Sequence, residues 1–167
     1  MNLFSRRSSM ACLIALAFLL FVTVKSQGTA VNETFPDVTA FGLEGDIPSL
    51  KGKVVLVDFF ASWCGPCKAS FPVMQELRKH FAGKDLVILA VNLDDKKEDM
   101  QEFLSKHPAD FTIVRDVTKK LVETVKIKTM PTSFILDREG KVRAVHKGFK
   151  GDETKRQYIE QIESLLK

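Results

Sequence analysis

Val54–Phe60 reads VVLVDFF, six apolar residues around one carboxylate, and a cysteine pair, Cys64 and Cys67, follows at once. The β-branched and aromatic content predicts a buried strand over Lys53–Phe59. Pro66 suits the first turn of a helix, where its missing N–H is not needed. That helix is expected to run to about Phe81 with Gly83 as its stop, and Pro72 inside it predicts a kink. Leu86–Val91 (LVILAV) is a second apolar strand, and strand–helix–strand order makes a right-handed parallel βαβ unit.

The remainder can be placed against that unit. Asp95 and Glu98 have capping-box spacing before a helix ending near Lys106 and Pro108. Phe111–Val114 reads as a short strand, and a helix is expected from about Thr118 to Val125. Ser133–Asp137 and Val142–Lys147 flank Arg138-Glu139-Gly140-Lys141 as a hairpin. Tyr158, Ile159, Ile162, Leu165 and Leu166 recur at helical spacing and close the chain with an amphipathic helix. The pattern predicts an α/β sandwich with a mixed central sheet, βαβ first and ββα last.

A different logic governs the first residues. Arg6 and Arg7 precede Ala11–Val24, an uncharged stretch of 14 residues, and Gly28-Thr29-Ala30 supplies small residues beyond it. A comfortable membrane span needs about 20 apolar residues. Residues 1–30 are therefore expected to be a secretory signal peptide, with an uncleaved membrane anchor as the competing reading, and residues 31–167 a single domain. This segment holds three of the 25 basic residues and none of the 21 acidic ones. The remaining chain sets 22 basic residues against 21 acidic, a net +1, with no basic block that would suggest nucleic-acid binding. With Cys12 in the leader, Cys64 and Cys67 are the thiols of the domain, and export places them where disulfides persist.

Four readings of the pair compete. Zinc finds Cys64, Cys67 and His80, but the next histidine, His107, lies too far on to complete a finger. Haem attachment needs a histidine after the second cysteine, where Lys68 stands. A structural disulfide across so short a loop removes little entropy from the unfolded chain. The fourth reading is a redox centre. At a helix N-terminus, orphan N–H groups and the dipole favour thiolate over thiol, which makes Cys64 the exposed attacking sulfur. Cys67, a turn further in, becomes the buried resolving thiol. A charge at Asp58 in a dry core would cost several kcal/mol, so its pKa should rise. Placed beneath the cysteines, it could take the proton of Cys67. The plainer alternative is a carboxylate on a solvated edge or in a salt bridge.

Asp58-Phe59-Phe60-Ala61-Ser62-Trp63-Cys64-Gly65-Pro66-Cys67-Lys68 resembles the active site of the thioredoxin superfamily. Phe35-Pro36-Asp37, Leu50-Lys51-Gly52-Lys53, Asn92-Leu93-Asp94 and the run from Met130-Pro131-Thr132 to Gly140-Lys141 are similar to its exported, TlpA/ResA-like branch. The resemblance covers about residues 35–167. It implies a thioredoxin fold in which Pro131 is a cis-proline facing the cysteines and Met130 presents its backbone to a substrate strand. Trp63, Gly65 and Pro66 would border the same substrate surface. The plainer alternatives are a loop proline at 131 and a packed core tryptophan at 63. Two departures stand out. Ser70 occupies the place of a glutamate in many cytochrome-maturation members, and Ala90 that of a lysine often facing the buried acid in thioredoxins.

The resemblance implies an exported, periplasmic thiol–disulfide oxidoreductase, possessing no cofactor and no metal, and a monomer. The Gly-Pro dipeptide resembles thioredoxin, whose potential is about −270 mV, so a reductase is expected. Its partners would be disulfide-containing exported proteins, such as apocytochromes c or copper-site proteins, and a membrane electron-donor thiol protein. An oxidase or isomerase on the same residues, and a redox-inert copper metallochaperone, are the rivals. A peroxidase would need a Pro-x-x-x-Thr-x-x-Cys setting, which the chain lacks.

Overall fold

The computed structural model describes residues 29–167, so the expected leader, but for its last two residues, lies outside the described part, as does Cys12. The elements are β1 (Val54–Phe60), α1 (Gly65–His80), β2 (Leu86–Asn92), α2 (Lys97–Lys106), β3 (Thr112–Arg115), α3 (Lys120–Val125), β4 (Thr132–Leu136), β5 (Val142–Lys147) and α4 (Asp152–Leu166). One five-stranded sheet has the order β3-β2-β1-β4-β5. β1, β2 and β3 run parallel, and β4 and β5 return antiparallel. This is the mixed sheet expected, βαβ first and ββα last.

β1 is the middle strand, and all seven of its residues are buried because helices and loops cover both faces of the sheet. Strand alternation sorts them. Val54, Leu56 and Phe60 pack with Phe71, Met74 and Leu77 of α1, Phe103 of α2, and Tyr158 and Ile162 of α4. Val55, Val57 and Phe59 pack the other way, with Phe35, Val38, Leu121 and Val125. Asp58 shares parity with Leu56 and Phe60, so it belongs to the layer that holds both cysteines.

The segment before β1 ties down the sheet's edges. Asn32 and Glu33 exchange backbone hydrogen bonds with Val142 at the start of β5, and Glu44 pairs with Arg115 at the end of β3. One end of each edge strand is thus occupied by the chain's own backbone. Gly45 is required there: its φ is 124°, and a Cβ would lie 2.9 Å from the Ile113 carbonyl oxygen.

Several local expectations shift. β1 and β3 each sit one residue later than predicted, and β4 one earlier. α1 passes through Pro72 without ending. The capping box fails: α2 starts at Lys97, with Lys96 at its N-cap and no side-chain cap. Asp95 instead extends into solvent and pairs with Lys119 at 3.2 Å. α3 starts at Lys120 because Lys119 takes a left-handed conformation with φ 59°, which cannot open a helix.

Candidate active site

At the C-terminal end of β1 the chain turns through Ala61-Ser62-Trp63 into α1. Cys64 is the N-cap of that helix, with φ −83° and ψ 104°, and its Sγ accepts a hydrogen bond from the Cys67 N–H at 3.2 Å. The sulfur therefore sits against the orphan N–H groups that stabilise a thiolate. Pro66 follows in the first turn, where it forfeits no helical hydrogen bond. Cys64 and Cys67 are joined in a disulfide, with their Cα atoms 5.3 Å apart. Cys64 is 5% exposed and Cys67 not at all. Cys64 is thus the sulfur nearer solvent, although the opening is narrower than a freely exposed thiol would have.

Trp63 is 70% exposed and stands at the rim rather than in the core. With Cys64, Gly65, Pro66, Leu93, Ile127, Lys128, Thr129 and Met130 it lines a depression of about 490 Å³. The Met130–Pro131 peptide is cis, and Met130 reaches this depression while Pro131 is buried behind it. Trp63, Cys64, Gly65, Pro66 and Met130 are therefore brought together. His80, the candidate third zinc ligand, ends α1, roughly 20 Å along the helix from Cys67 and more from Cys64, and contacts Glu163. Ser70 is buried, and its Oγ donates to the Cys67 carbonyl at 2.9 Å.

Asp58 is 1% exposed. Its neighbours across the sheet are Ala90 on β2 and Ser133 on β4. Ala90 holds the position where a lysine could have stood, and Asp58 makes no ion pair among the described residues. The Ser133 hydroxyl donates to Oδ1 at 2.5 Å, while Oδ2 is buried with no hydrogen-bond partner. Burial pushes the carboxyl up to about 7, and the Ser133 hydrogen bond draws it the other way. Such a group can hold or release a proton near neutrality.

Two features escaped the sequence. Asp94, 2% exposed, accepts from the Ser62 N–H at 3.0 Å, the Ser62 hydroxyl at 2.9 Å and the Asn92 amide at 2.8 Å. It fastens the turn that carries Trp63 and Cys64 to the end of β2. Tyr158 places its hydroxyl 2.7 Å from Ser133 Oγ, behind Asp58. The available signals were slight: a serine among apolar residues in Thr132–Leu136, and a phenol on an otherwise aliphatic helical stripe.

Residues 31–145 match the AhpC/TSA family. The chain is 31% identical over 154 residues to the thiol-disulfide oxidoreductase ResA of Bacillus subtilis strain 168, covering 88% of this chain and 86% of ResA. A crystal structure of a putative thiol:disulfide interchange protein DsbE from Chlorobium tepidum superposes with TM-score 0.77 at 37% identity, over 84% of this chain and all of that one. The exposed lipoprotein thioredoxin Etrx1 of Streptococcus pneumoniae strain TIGR4 superposes with TM-score 0.62 at 31% identity, over 74% of this chain and 97% of that one.

Proposed function

Because the chain belongs to the AhpC/TSA family and is a thiol-disulfide oxidoreductase of the ResA/DsbE type, we propose that it works outside the cytoplasm as a reductase of protein disulfides. The observation that carries this reading is Cys64 at the N-cap of α1, with Cys67 one turn behind it and a buried acid on the same face of the sheet. Residues 1–30 serve as leader or anchor, and residues 31–167 form the working domain. That the pneumococcal relative is an exposed lipoprotein supports this placement.

The reduced enzyme begins with Cys64 as thiolate. It attacks one sulfur of the substrate disulfide, which breaks and releases a substrate thiolate, leaving a mixed disulfide. Cys67 gives its proton to Asp58 and attacks Cys64 Sγ. The mixed disulfide breaks, the second substrate sulfur leaves as thiolate and takes up a proton, and Cys64–Cys67 forms. Two electrons have passed to the substrate. The oxidised pair seen here is the end of that cycle, and a membrane-bound dithiol protein would return the electrons. Trp63, Gly65, Pro66 and Met130 border the groove in which an extended substrate strand would lie. Exported proteins holding a disulfide at a haem- or copper-attachment site suit such a reductase.

Trapping tests the roles. With Cys67→Ser, attack survives and resolution does not, so reductant-sensitive complexes with substrates accumulate and can be identified by mass. Cys64→Ser should trap none. Trapping by Cys64→Ser instead of Cys67→Ser would reverse the two assignments, and trapping by neither would contradict a reductase of protein disulfides.

A further inference from the structure

Asp58 has two chemically equivalent oxygens in unequal surroundings. Oδ1 meets the Ser133 hydroxyl at 2.5 Å, and Oδ2 is buried with no hydrogen-bond partner. Ser133 Oγ in turn lies 2.7 Å from the Tyr158 hydroxyl, and Tyr158 is 2% exposed. A carboxylate can only accept, so the single Ser133 proton is committed to Oδ1. The Tyr158 hydroxyl must then be the donor to Ser133 Oγ.

The series has one direction and ends there. Were Oδ1 to carry a proton, it would donate to Ser133, and either the Ser133 or the Tyr158 O–H would be left buried without an acceptor. His146 offers no way out: it meets the Tyr158 ring edge-on at 4.7 Å, but its Nε2 is engaged with Gln161 Oε1 at 2.7 Å. A proton cannot be passed onward through Tyr158, whose own ionisation is held well above the ordinary phenol range by burial and then by the Asp58 charge.

We infer that Ser133 and Tyr158 are positioning residues for disulfide exchange: their hydroxyls form a fixed donor series onto Asp58 Oδ1, which leaves Oδ2 as the atom that receives and returns the Cys67 proton. This rests on the reading of Asp58 as the proton acceptor and specifies how the chain manages without a cation at Ala90. A hydrogen bond to the ionised form favours that form, so the two hydroxyls offset part of the burial cost. Asp58 makes no ion pair among the described residues: β2 sets Ala90 beside it, β4 sets Ser133, and the apolar layer on its side of the sheet holds the joined cysteines of α1 and Tyr158 of α4. Beyond Tyr158, β5 brings the titratable side chain of His146, which stands opposite Ser133 and against the Tyr158 ring.

The test reads Asp58 directly. Carbon-13 NMR of its carboxyl, in the oxidised full-length domain so that no thiol titrates, gives its midpoint in the parent, Ser133→Ala, Ser133→Thr and Tyr158→Phe. Ser133→Ala should raise the midpoint by about 1–2 pH units. Tyr158→Phe should raise it by less, Ser133→Thr should restore it, and His146→Gln should leave it in place. The pH profile of disulfide exchange should move by the same shift in each variant. A midpoint or profile unmoved by Ser133→Ala, while Asp58→Asn alters the profile, overturns the positioning role and leaves Asp58 as acceptor. A profile unmoved by Asp58→Asn removes the acceptor reading and this inference together. A shift in His146→Gln as large as that in Ser133→Ala would assign the effect to the imidazole and overturn it.

Discussion

Asp58 and Asp94 are buried to nearly the same degree, 1% and 2% exposed, and they serve the same cysteine turn in opposite ways. Asp94 spends both oxygens on donors: the Ser62 N–H, the Ser62 hydroxyl and the Asn92 amide all converge on it. Asp58 has one donor and an empty second oxygen, in an apolar layer that makes its charge costly. A buried carboxylate surrounded by donors is a brace, because its charge is satisfied and the groups it holds cannot move without losing it. One left half-satisfied is free to change its protonation state, which chemistry needs and stability does not. Burial alone therefore does not distinguish a working acid from a structural one, and neither does an empty oxygen, since buried Asp116 also has one; Asp58 differs in combining it with a place in the layer that holds the cysteines.

The largest expected difference lies in stability against pH. The Asp58 carboxyl titrates near 7 in the folded protein, above the value of about 3.9 in an unfolded chain. Below pH 4 both states hold the proton and Asp58 costs nothing. As the pH climbs toward 7 the unfolded chain sheds a proton that the folded one retains, so stability falls, and above the folded value the loss is complete. Its ceiling is of order 4 kcal/mol. Asp58→Asn should then exceed the parent in stability by a few kcal/mol at pH 8 and show no such gain at pH 4. Denaturant unfolding at the two pH values measures this, and an equal difference at both would show that the acid carries no raised pKa.

The brace should respond in the other direction and somewhat less. Asp94→Ala leaves the Ser62 and Asn92 donors unpaired in a buried setting, which should cost about 2–3 kcal/mol. Unfolding midpoints check it, and a variant as stable as the parent would mean that Asp94 restrains nothing. Trp63→Ala separates the braced turn from the surface it presents. At 70% exposure, its loss should change stability by no more than about 0.5 kcal/mol. Exchange with a protein substrate should weaken through KM, while exchange with a small dithiol should not. Equal losses on both would place Trp63 in the chemistry instead.

The sequence exposed one of these acids and hid the other for the same physical reason. A charge inside VVLVDFF contradicts its own strand, so Asp58 announces itself in seven residues. Asn92-Leu93-Asp94 is noticed only as a stretch similar to known sequences, and its bracing role stays hidden because the turn residue it holds, Ser62, is 32 positions away. Ser133 and Tyr158 are similarly remote: Ser133 lies 75 positions from Asp58, and Tyr158 another 25 beyond. Contacts of that range are made by strand pairing and by the packing of helix and loops against it, and no local pattern encodes them. The cysteine pair, the succession of strands and helices along the chain and the closing helix were legible because each rests on patterns local to one element or its neighbour. The expected cap at Asp95 failed because α2 opens one residue later than that spacing requires, with Lys96 at the N-cap, and Asp95 is left in solvent facing Lys119. Residue spacing can nominate a cap, but tertiary context decides whether the side chain stays for it.

The most direct measurement is the rate of disulfide exchange from pH 5 to 9 for the parent beside Asp58→Asn. Proton transfer to a positioned acid is worth about 10²–10⁴-fold. If Asp58 takes the Cys67 proton, the variant should be slower by at least the lower end of that range near neutrality, and the parent's inflection near pH 7 should vanish with it. Superimposable profiles for the two proteins would contradict the account.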